Sequence, residues 1–295
     1  MKSKLIFRIF VNSVPKSGTH LLTRIVSLLG YRSTSSNRYV IQKILTRMRL
    51  GHPNVFTFPT VNRNLIKIMY DWYDKIHPHV KVPIGVTLRA QVSHNLMYRW
   101  LLSIHPGCFV SGHVPWSQTT DQILKQLGFK HVIIVRDPRD VLISFVHHVM
   151  KPEHPLKDDF SRLSENERVI FAIKGGYTPV SKIHMRGIKD VFYSVINWRQ
   201  SNNVLILRFE DLVGVKGGGS YSEQIKSLKE ICNYLEINVE DKDIEKICEN
   251  AFDVSSATFR KGQIGTWREE LTPQQLTIFY EYSGKLLDEL HYEYE

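Results

Sequence analysis

The segment that most restricts what this chain can fold into lies near its start. Leu5–Val14 is dense in Ile, Phe and Val and is bounded by Pro15, which predicts a buried strand. Pro15-Lys16-Ser17-Gly18-Thr19 then predicts a turn. From His20 onward, Leu21, Leu22, Ile25, Leu28 and Leu29 recur at helical spacing until Gly30 stops them. Strand, loop and helix in this order open a nucleotide-type α/β fold. In such a loop the backbone N–H groups and the helix N-terminus can cradle a phosphate. Lys16 adds a mobile cation, and Ser17, Thr19 and His20 add donors. An ordinary turn containing a glycine is the competing reading.

The rest of the chain repeats the alternation. Gly107–His113, His131–Val135 and Val204–Phe209 read as strands. Thr119–Leu127, capped by Thr119 or Thr120, reads as a helix, as do Val141–Val149, Val191–Arg199, Gln224–Leu235, Lys242–Ala251 and Pro273–Leu290. Tyr31 to about Val82 is less regular, with an amphipathic piece at Asn64–Ile76, and is expected to wall an acceptor site. Lys151–Ile183 is polar, rich in Pro and Gly, and reads as a long, partly mobile segment. Gly217–Ser220 reads as a flexible surface turn. A chain of 295 residues, 42% hydrophobic, suffices for one large core, so one domain over 1–295 is expected. The predicted fold class is α/β, with a central, mostly parallel sheet flanked by helices. Ligands then bind at the carboxyl ends of the strands.

Three further segments sit at such ends. Arg136-Asp137-Pro138-Arg139-Asp140 follows His131–Val135, with Ser144 on the next helix. Arg136 can grip a phosphate bidentately and Ser144 can share it. A surface charge cluster, or an Asp that holds magnesium, are the alternatives. Arg260-Lys261-Gly262 puts two cations beside a glycine that permits close approach, or forms a solvated basic loop. His113 ends a short strand in Gly112-His113-Val114-Pro115, where an imidazole can take a proton. His147, His148 and His154 lack a completing carboxylate or Cys pattern and read as helix-end and loop residues rather than a metal site. Tyr280, Tyr282, Tyr292 and Tyr294 read as helix packing. The net charge of +10 fits nucleic acid, a membrane surface or an anionic small ligand. Cys108, Cys232 and Cys248, without CxxC spacing, fit a reducing compartment. The basic N-terminus lacks a small-residue cleavage site, and no apolar stretch is long enough to span a membrane, so a cytoplasmic location is expected.

Taken together and in order, these segments resemble the sulfotransferases that use 3'-phosphoadenosine 5'-phosphosulfate (PAPS). Pro15–His20 resembles the 5'-phosphosulfate loop, Arg136 to Ser144 the 3'-phosphate motif, and Arg260–Trp267 the C-terminal signature. Val204–Leu212 resembles the strand before the C-terminal helices, and Gly112–Pro115 the segment with the catalytic His. The resemblance implies a P-loop NTPase-like fold and sulfuryl transfer from PAPS to a hydroxyl or amine, leaving PAP. It implies His113 as general base and Lys16 at the leaving phosphate. Ser17, Gly18, Thr19 and His20 would hold the 5' side, and Arg136, Ser144, Arg260, Lys261 and Gly262 the 3'-phosphate, with no metal required. Phe209 stands where a Tyr often contacts adenine. Departures are His20 and Leu21 for the usual Thr and Trp, and Ser111-Gly112 before His113 instead of Lys-Thr. His20 competes with His113 as base. The implied partner is an acceptor small molecule, lipid or glycan, not nucleic acid; the oligomeric state stays open. Two rival readings are an ATP-dependent phosphotransferase, although no GxxxxGK[ST] occurs, and a non-enzymatic anion-binding or nucleic-acid module.

Overall fold

A computed structural model describes residues 6–34, 81–88, 91–152, 154–252 and 261–294. In chain order the elements begin with β1 (Arg8–Ser13), α1 (Thr19–Leu28), β2 (Arg32–Ser33), β3 (Lys81–Pro83), β4 (Gln91–Ser93) and α2 (His94–Leu102). There follow β5 (Cys108–Gly112), α3 (Gln118–Gln126), β6 (Phe129–Val135), α4 (Pro138–Val149), α5 (Lys157–Ser161) and α6 (Glu165–Lys174). Next come β7 (Gly175–Thr178), β8 (Ile183–Arg186), α7 (Ile188–Ile196), β9 (Val204–Arg208) and α8 (Phe209–Leu212). The chain closes with α9 (Tyr221–Tyr234), α10 (Asp241–Ala251), α11 (Trp267–Glu270) and α12 (Pro273–Leu290).

Five strands form one parallel sheet in the order β2-β5-β1-β6-β9. Alternation along each strand divides the core between its two faces. Ile9, Val11, Val132 and Ile134 pack against Leu22, Ile25, Leu228, Ile231 and Ile247 from α1, α9 and α10. Phe10, Val110 and Ile133 pack on the other face against Ile123, Leu142, Ile173, Val195 and Leu286 from α3, α4, α6, α7 and α12. Both faces are covered, as a parallel sheet requires. Strand β1 is central, with β5 on one side and β6 on the other, so the strand order reverses there. The carboxyl end of β1 is therefore the crevice in which such a sheet binds ligands.

The structure corrects three expectations. Lys151–Ile183 contains α5, α6 and β7. Ser164 and Glu167 close a reciprocal capping box at the start of α6, and Asp159 accepts hydrogen bonds from the Val180 and Ser181 amides at 2.7 and 2.9 Å. The segment is thus tied down by its own polar residues. The Gly217–Ser220 turn does lie at the surface, with Gly218 and Ser220 exposed, but Gly217 is buried, and a Cβ there would clash with Val213 Cγ2 and stand 2.8 Å from the Gly262 carbonyl. The cap of α3 is Ser117, which accepts from the Thr120 amide at 3.2 Å, not Thr119 or Thr120. The proposed acceptor wall lies outside the described residues for 35–80.

Candidate active site

The loop after β1 is shaped for an anion. Lys16 has φ 73° and Gly18 φ 99°, both in the left-handed region. Gly18 is doubly constrained, since a Cβ would also meet Phe209 Cδ2 at 2.6 Å. Gly18 caps α1 without a side-chain hydrogen bond, and the first turn has no acidic residue. The leading N–H groups of a ten-residue helix therefore face the loop with their positive end uncompensated. The Ser17 side chain is fully buried, yet its Oγ has no hydrogen-bond partner. A buried orphan hydroxyl costs stability unless a ligand supplies the partner. A phosphosulfate or phosphate fits this loop.

His113 is brought to the same place by the strand register. Strand β5 lies beside β1, with Asn12 opposite Gly112. His113 Nδ1 donates to the Ser13 carbonyl at 3.0 Å, which fixes the tautomer and leaves Nε2 as the acceptor. Nδ1 also lies 3.1 Å from Ser13 Oγ, itself 2.6 Å from Thr19 Oγ1 in the first turn of α1. Burial, with a smaller part from His20 and Lys16, pushes His113 down to about 4 against the pull of the Ser13 carbonyl. The imidazole is therefore neutral at physiological pH and able to take a proton. On the first turn of α1, His20 is lowered too, by desolvation from its surroundings first and by the Lys16 charge second.

Two residues that sequence reading missed hold this arrangement. Asn12, fully buried, donates from Nδ2 to the Val114 carbonyl and accepts the Val114 amide at Oδ1, both at 2.9 Å. Ser13 links His113 to Thr19. No motif signals either role, because it depends on two strands about a hundred residues apart meeting in one register.

The other segments meet at the end of β6. Arg136 is nearly buried between the Phe209 ring, 4.5 Å from its guanidinium carbon, and the Gln263 carbonyl, to which Nη2 donates at 2.6 Å. Arg136 Nε is buried without a partner. Asp140, fully buried, accepts from the amides of Gly265 and Trp267 at 2.8 and 3.0 Å and from Thr266 Oγ1 at 2.8 Å. It also lies 3.2 Å from Arg136 Nη2. This carboxylate fastens the Gly262–Trp267 loop to the strand end. From the other side, the Ile264 amide donates to the Gly217 carbonyl at 3.0 Å. Ser144 lies in the second turn of α4, buried on the same helix. Phe209 is 4% exposed, its ring shared between Gly18 and Arg136. Lys261 pairs with Glu270 at 3.0 Å and Glu269 at 3.7 Å, while Gly262 has φ 62°. Arg260 lies outside the described residues.

Asp137, the candidate magnesium ligand of the phosphotransferase reading, is otherwise engaged. Its two oxygens accept from Arg139 Nε at 3.0 Å and Nη2 at 2.8 Å. Arg139 itself is buried, stacked 3.8 Å over Trp267. Among the described residues no group of three His, Cys, Asp or Glu side chains is placed to hold a metal ion, and no helix is long and apolar enough to cross a membrane.

A family model described as "Sulfotransferase domain" matches residues 8–291. The chain is 25% identical over 230 residues to cytosolic sulfotransferase 5 of Arabidopsis thaliana, covering 67% of this chain and 63% of that one. It is 24% identical over 248 residues to cytosolic sulfotransferase 17 of the same plant, covering 75% and 66%. The matches thus span just under two thirds of these relatives' own length. Among solved structures, mouse sulfotransferase SULT7A1 complexed with PAP superposes with a TM-score of 0.57 at 20% identity, covering 95% of this chain and 84% of that one. Retinol dehydratase in a complex with retinol and PAP gives 0.56 at 16%, covering 95% and 81%. At these identities the structural likeness concerns the fold.

Proposed function

The chain belongs to the sulfotransferase family, and on that premise we propose that it transfers the sulfuryl group of PAPS to a hydroxyl or amine of an acceptor small molecule, lipid or glycan. The observation that carries the reading is the meeting of the anion loop with His113 at neighbouring strand ends, joined through Ser13. PAPS, when bound, supplies an activated sulfuryl group whose acceptor–sulfur bond forms as the sulfur–phosphate oxygen bond breaks.

The residues divide the remaining work. His113 Nε2 takes the acceptor proton, and Ser13 keeps its ring aimed at the reacting side. Lys16, with the amides at the start of α1 and the Ser17 hydroxyl, stabilises the negative charge that gathers on the leaving phosphate oxygen. Dipoles and cations fixed in advance are commonly the largest catalytic contribution. Thr19 and His20 border the same phosphate. Arg136, Ser144, Arg260, Lys261 and Gly262 bind the 3'-phosphate, with Asp140 holding their loop in place. Phe209 flanks the adenine side. Protein cations supply the positive charge, so no metal is required. Like the Arabidopsis relatives named as cytosolic, the protein acts in the cytosol on this reading.

The test is transfer of label from [35S]PAPS across a panel of hydroxyl and amine acceptors, with and without EDTA. Transfer that survives chelation is expected. Failure of PAP to bind, or labelling from [γ-32P]ATP with magnesium instead, overturns the reading.

A further inference from the structure

Beyond α12 the chain binds back onto the strand ends. His291 has φ 56°, and the amides of His291 and Tyr292 donate to the Asp288 and Leu287 carbonyls at 3.2 and 2.9 Å. This pair of bonds is a Schellman turn, which ends the helix and redirects the chain. Arg139 fastens the residues that follow, Nη2 donating to the Glu293 carbonyl at 2.6 Å and Nη1 to the Tyr294 carbonyl at 3.1 Å. Tyr292 itself is buried. Its place in the sequence suggests helix packing, and packing alone needs a ring but no hydroxyl.

The hydroxyl donates to Glu210 Oε2 at 2.8 Å, and Glu210 Oε1 accepts the Asp137 amide at 2.9 Å. That amide belongs to the planar peptide unit joining Arg136 to Asp137. Holding the plane fixes ψ of Arg136, and with it the direction from which the guanidinium is presented beside Phe209. A second cation competes for the same carboxylate. Arg208 Nε, buried without a hydrogen-bond partner, lies 4.0 Å from Glu210 Oε2, and the Arg208 guanidinium carbon stands 4.2 Å from the Tyr292 ring centroid. The Tyr292 hydroxyl occupies Oε2 and so keeps Oε1 on the Asp137 amide. Without that hydroxyl, Arg208 is placed to draw the carboxylate away.

Resting on the assignment of Arg136 to the 3'-phosphate, we propose that Tyr292 is a positioning residue for that phosphate, acting through Glu210 and the Arg136–Asp137 peptide. Tyr292 touches no part of the nucleotide on this account. It sets the affinity for one phosphate by holding in advance the backbone from which Arg136 reaches, so that ordering Arg136 costs less when the ligand arrives. The 5' side, built on β1 and α1, does not depend on it.

The probes are PAP and adenosine 5'-phosphate, which lacks the 3'-phosphate, with binding measured by calorimetry. Tyr292→Phe keeps the ring; it is expected to weaken PAP about fivefold or more, the scale of one lost bond to a charged group, and adenosine 5'-phosphate less than about twofold. In an Arg136→Ala background the same substitution is expected to cost less than about twofold for PAP, because nothing is left to position. Glu210→Gln still offers an oxygen to the Asp137 amide and an N–H to the Tyr292 oxygen, so it is expected to keep most of the PAP affinity, whereas Glu210→Leu loses it. Should Glu210→Leu fail to fold, judged by loss of both ligands, Tyr292→Phe and Glu210→Gln decide. No loss in Tyr292→Phe, equal losses for both ligands, or an undiminished loss in the Arg136→Ala background overturns the proposal. So does a Glu210→Gln that loses PAP selectively as Tyr292→Phe does, since charge rather than placement would then matter. If Arg136→Ala weakens both ligands alike, the assignment of Arg136 to the 3'-phosphate falls and takes the proposal with it. A PAP-selective Arg136→Ala beside an unselective Tyr292→Phe removes the proposal alone.

Discussion

At the scale of single residues, the proposed mechanism rests on one base, His113, and one cation, Lys16, with His20 as the rival base. Lys16→Ala is expected to lower kcat about 100-fold, near 3 kcal/mol, because the leaving oxygen loses its nearest charge. Unchanged kcat in a folded variant would remove Lys16 from the mechanism. The same substitution withdraws a positive charge that disfavours the His113 imidazolium. The His113 pKa, followed by NMR, should therefore rise above about 4 in Lys16→Ala. His113→Ala is expected to cost about 100-fold or more in turnover with PAP affinity kept. His20→Ala is expected to weaken PAP binding instead. The opposite pattern would make His20 the base. Asn12→Leu leaves the buried Val114 amide unpaired and lets the turn carrying His113 shift. About a tenfold loss in kcat is expected, with PAP affinity within about threefold. A parallel loss in both would make Asn12 a general stability residue.

At the scale of elements, Asp140 holds the loop proposed to bind the 3'-phosphate, as Asn12 holds the turn that carries His113. Asp140→Ala cuts the Gly265, Thr266 and Trp267 contacts at once. PAP affinity is expected to fall about 30-fold or more, the scale of losing buried charge-assisted bonds. Adenosine 5'-phosphate, which lacks the 3'-phosphate, should lose less than about threefold; equal losses would mean that the whole nucleotide cleft collapses. The elements that were legible in the sequence explain why this hinge was only half seen. Strand β1, its loop and α1 are contiguous, so spacing and Gly18 revealed them. Arg136 and Ser144, at one strand end and on the helix that follows, are likewise close in sequence, so their nearness was legible too. The alternative of a charge cluster around Arg136 is met in part, since Asp140 lies 3.2 Å from Arg136 Nη2, but its bonds to a loop 125 residues away left no mark in the sequence. Lys151–Ile183 was misread because prolines and glycines outweighed the Ser164–Glu167 capping box that the sequence does contain. Gly217 was misread because a glycine chosen for close packing and one chosen for flexibility look identical in a sequence.

At the scale of the whole molecule, the sheet predicts the response to acid. His131 lies within β6, edge-on to Trp198 at 4.3 Å, with both ring nitrogens buried and unpartnered. Burial pushes it down to about 3 from 6.5. The unfolded chain takes up this proton below about pH 6.5, and the native chain only near pH 3. Stability is therefore complete above 6.5 and is lost as pH falls toward 3, by about 3 kcal/mol at about pH 4.5 from this residue alone. His113, His148 and His154, each about 4, act in the same direction. Chemical denaturation from pH 7 to about 4.5 should show the decline, and His131→Phe should flatten part of it. An identical pH slope in the variant would assign the loss to other groups. The bond from Asp140 to Gly265 has a further consequence, for the chain as it is made. Translation at about 5–20 residues per second separates the two partners by roughly 6–25 s on the ribosome. Over that interval the sheet can assemble while the loop proposed to complete the 3'-phosphate site is still unmade, so on that reading full nucleotide binding waits for the finished chain.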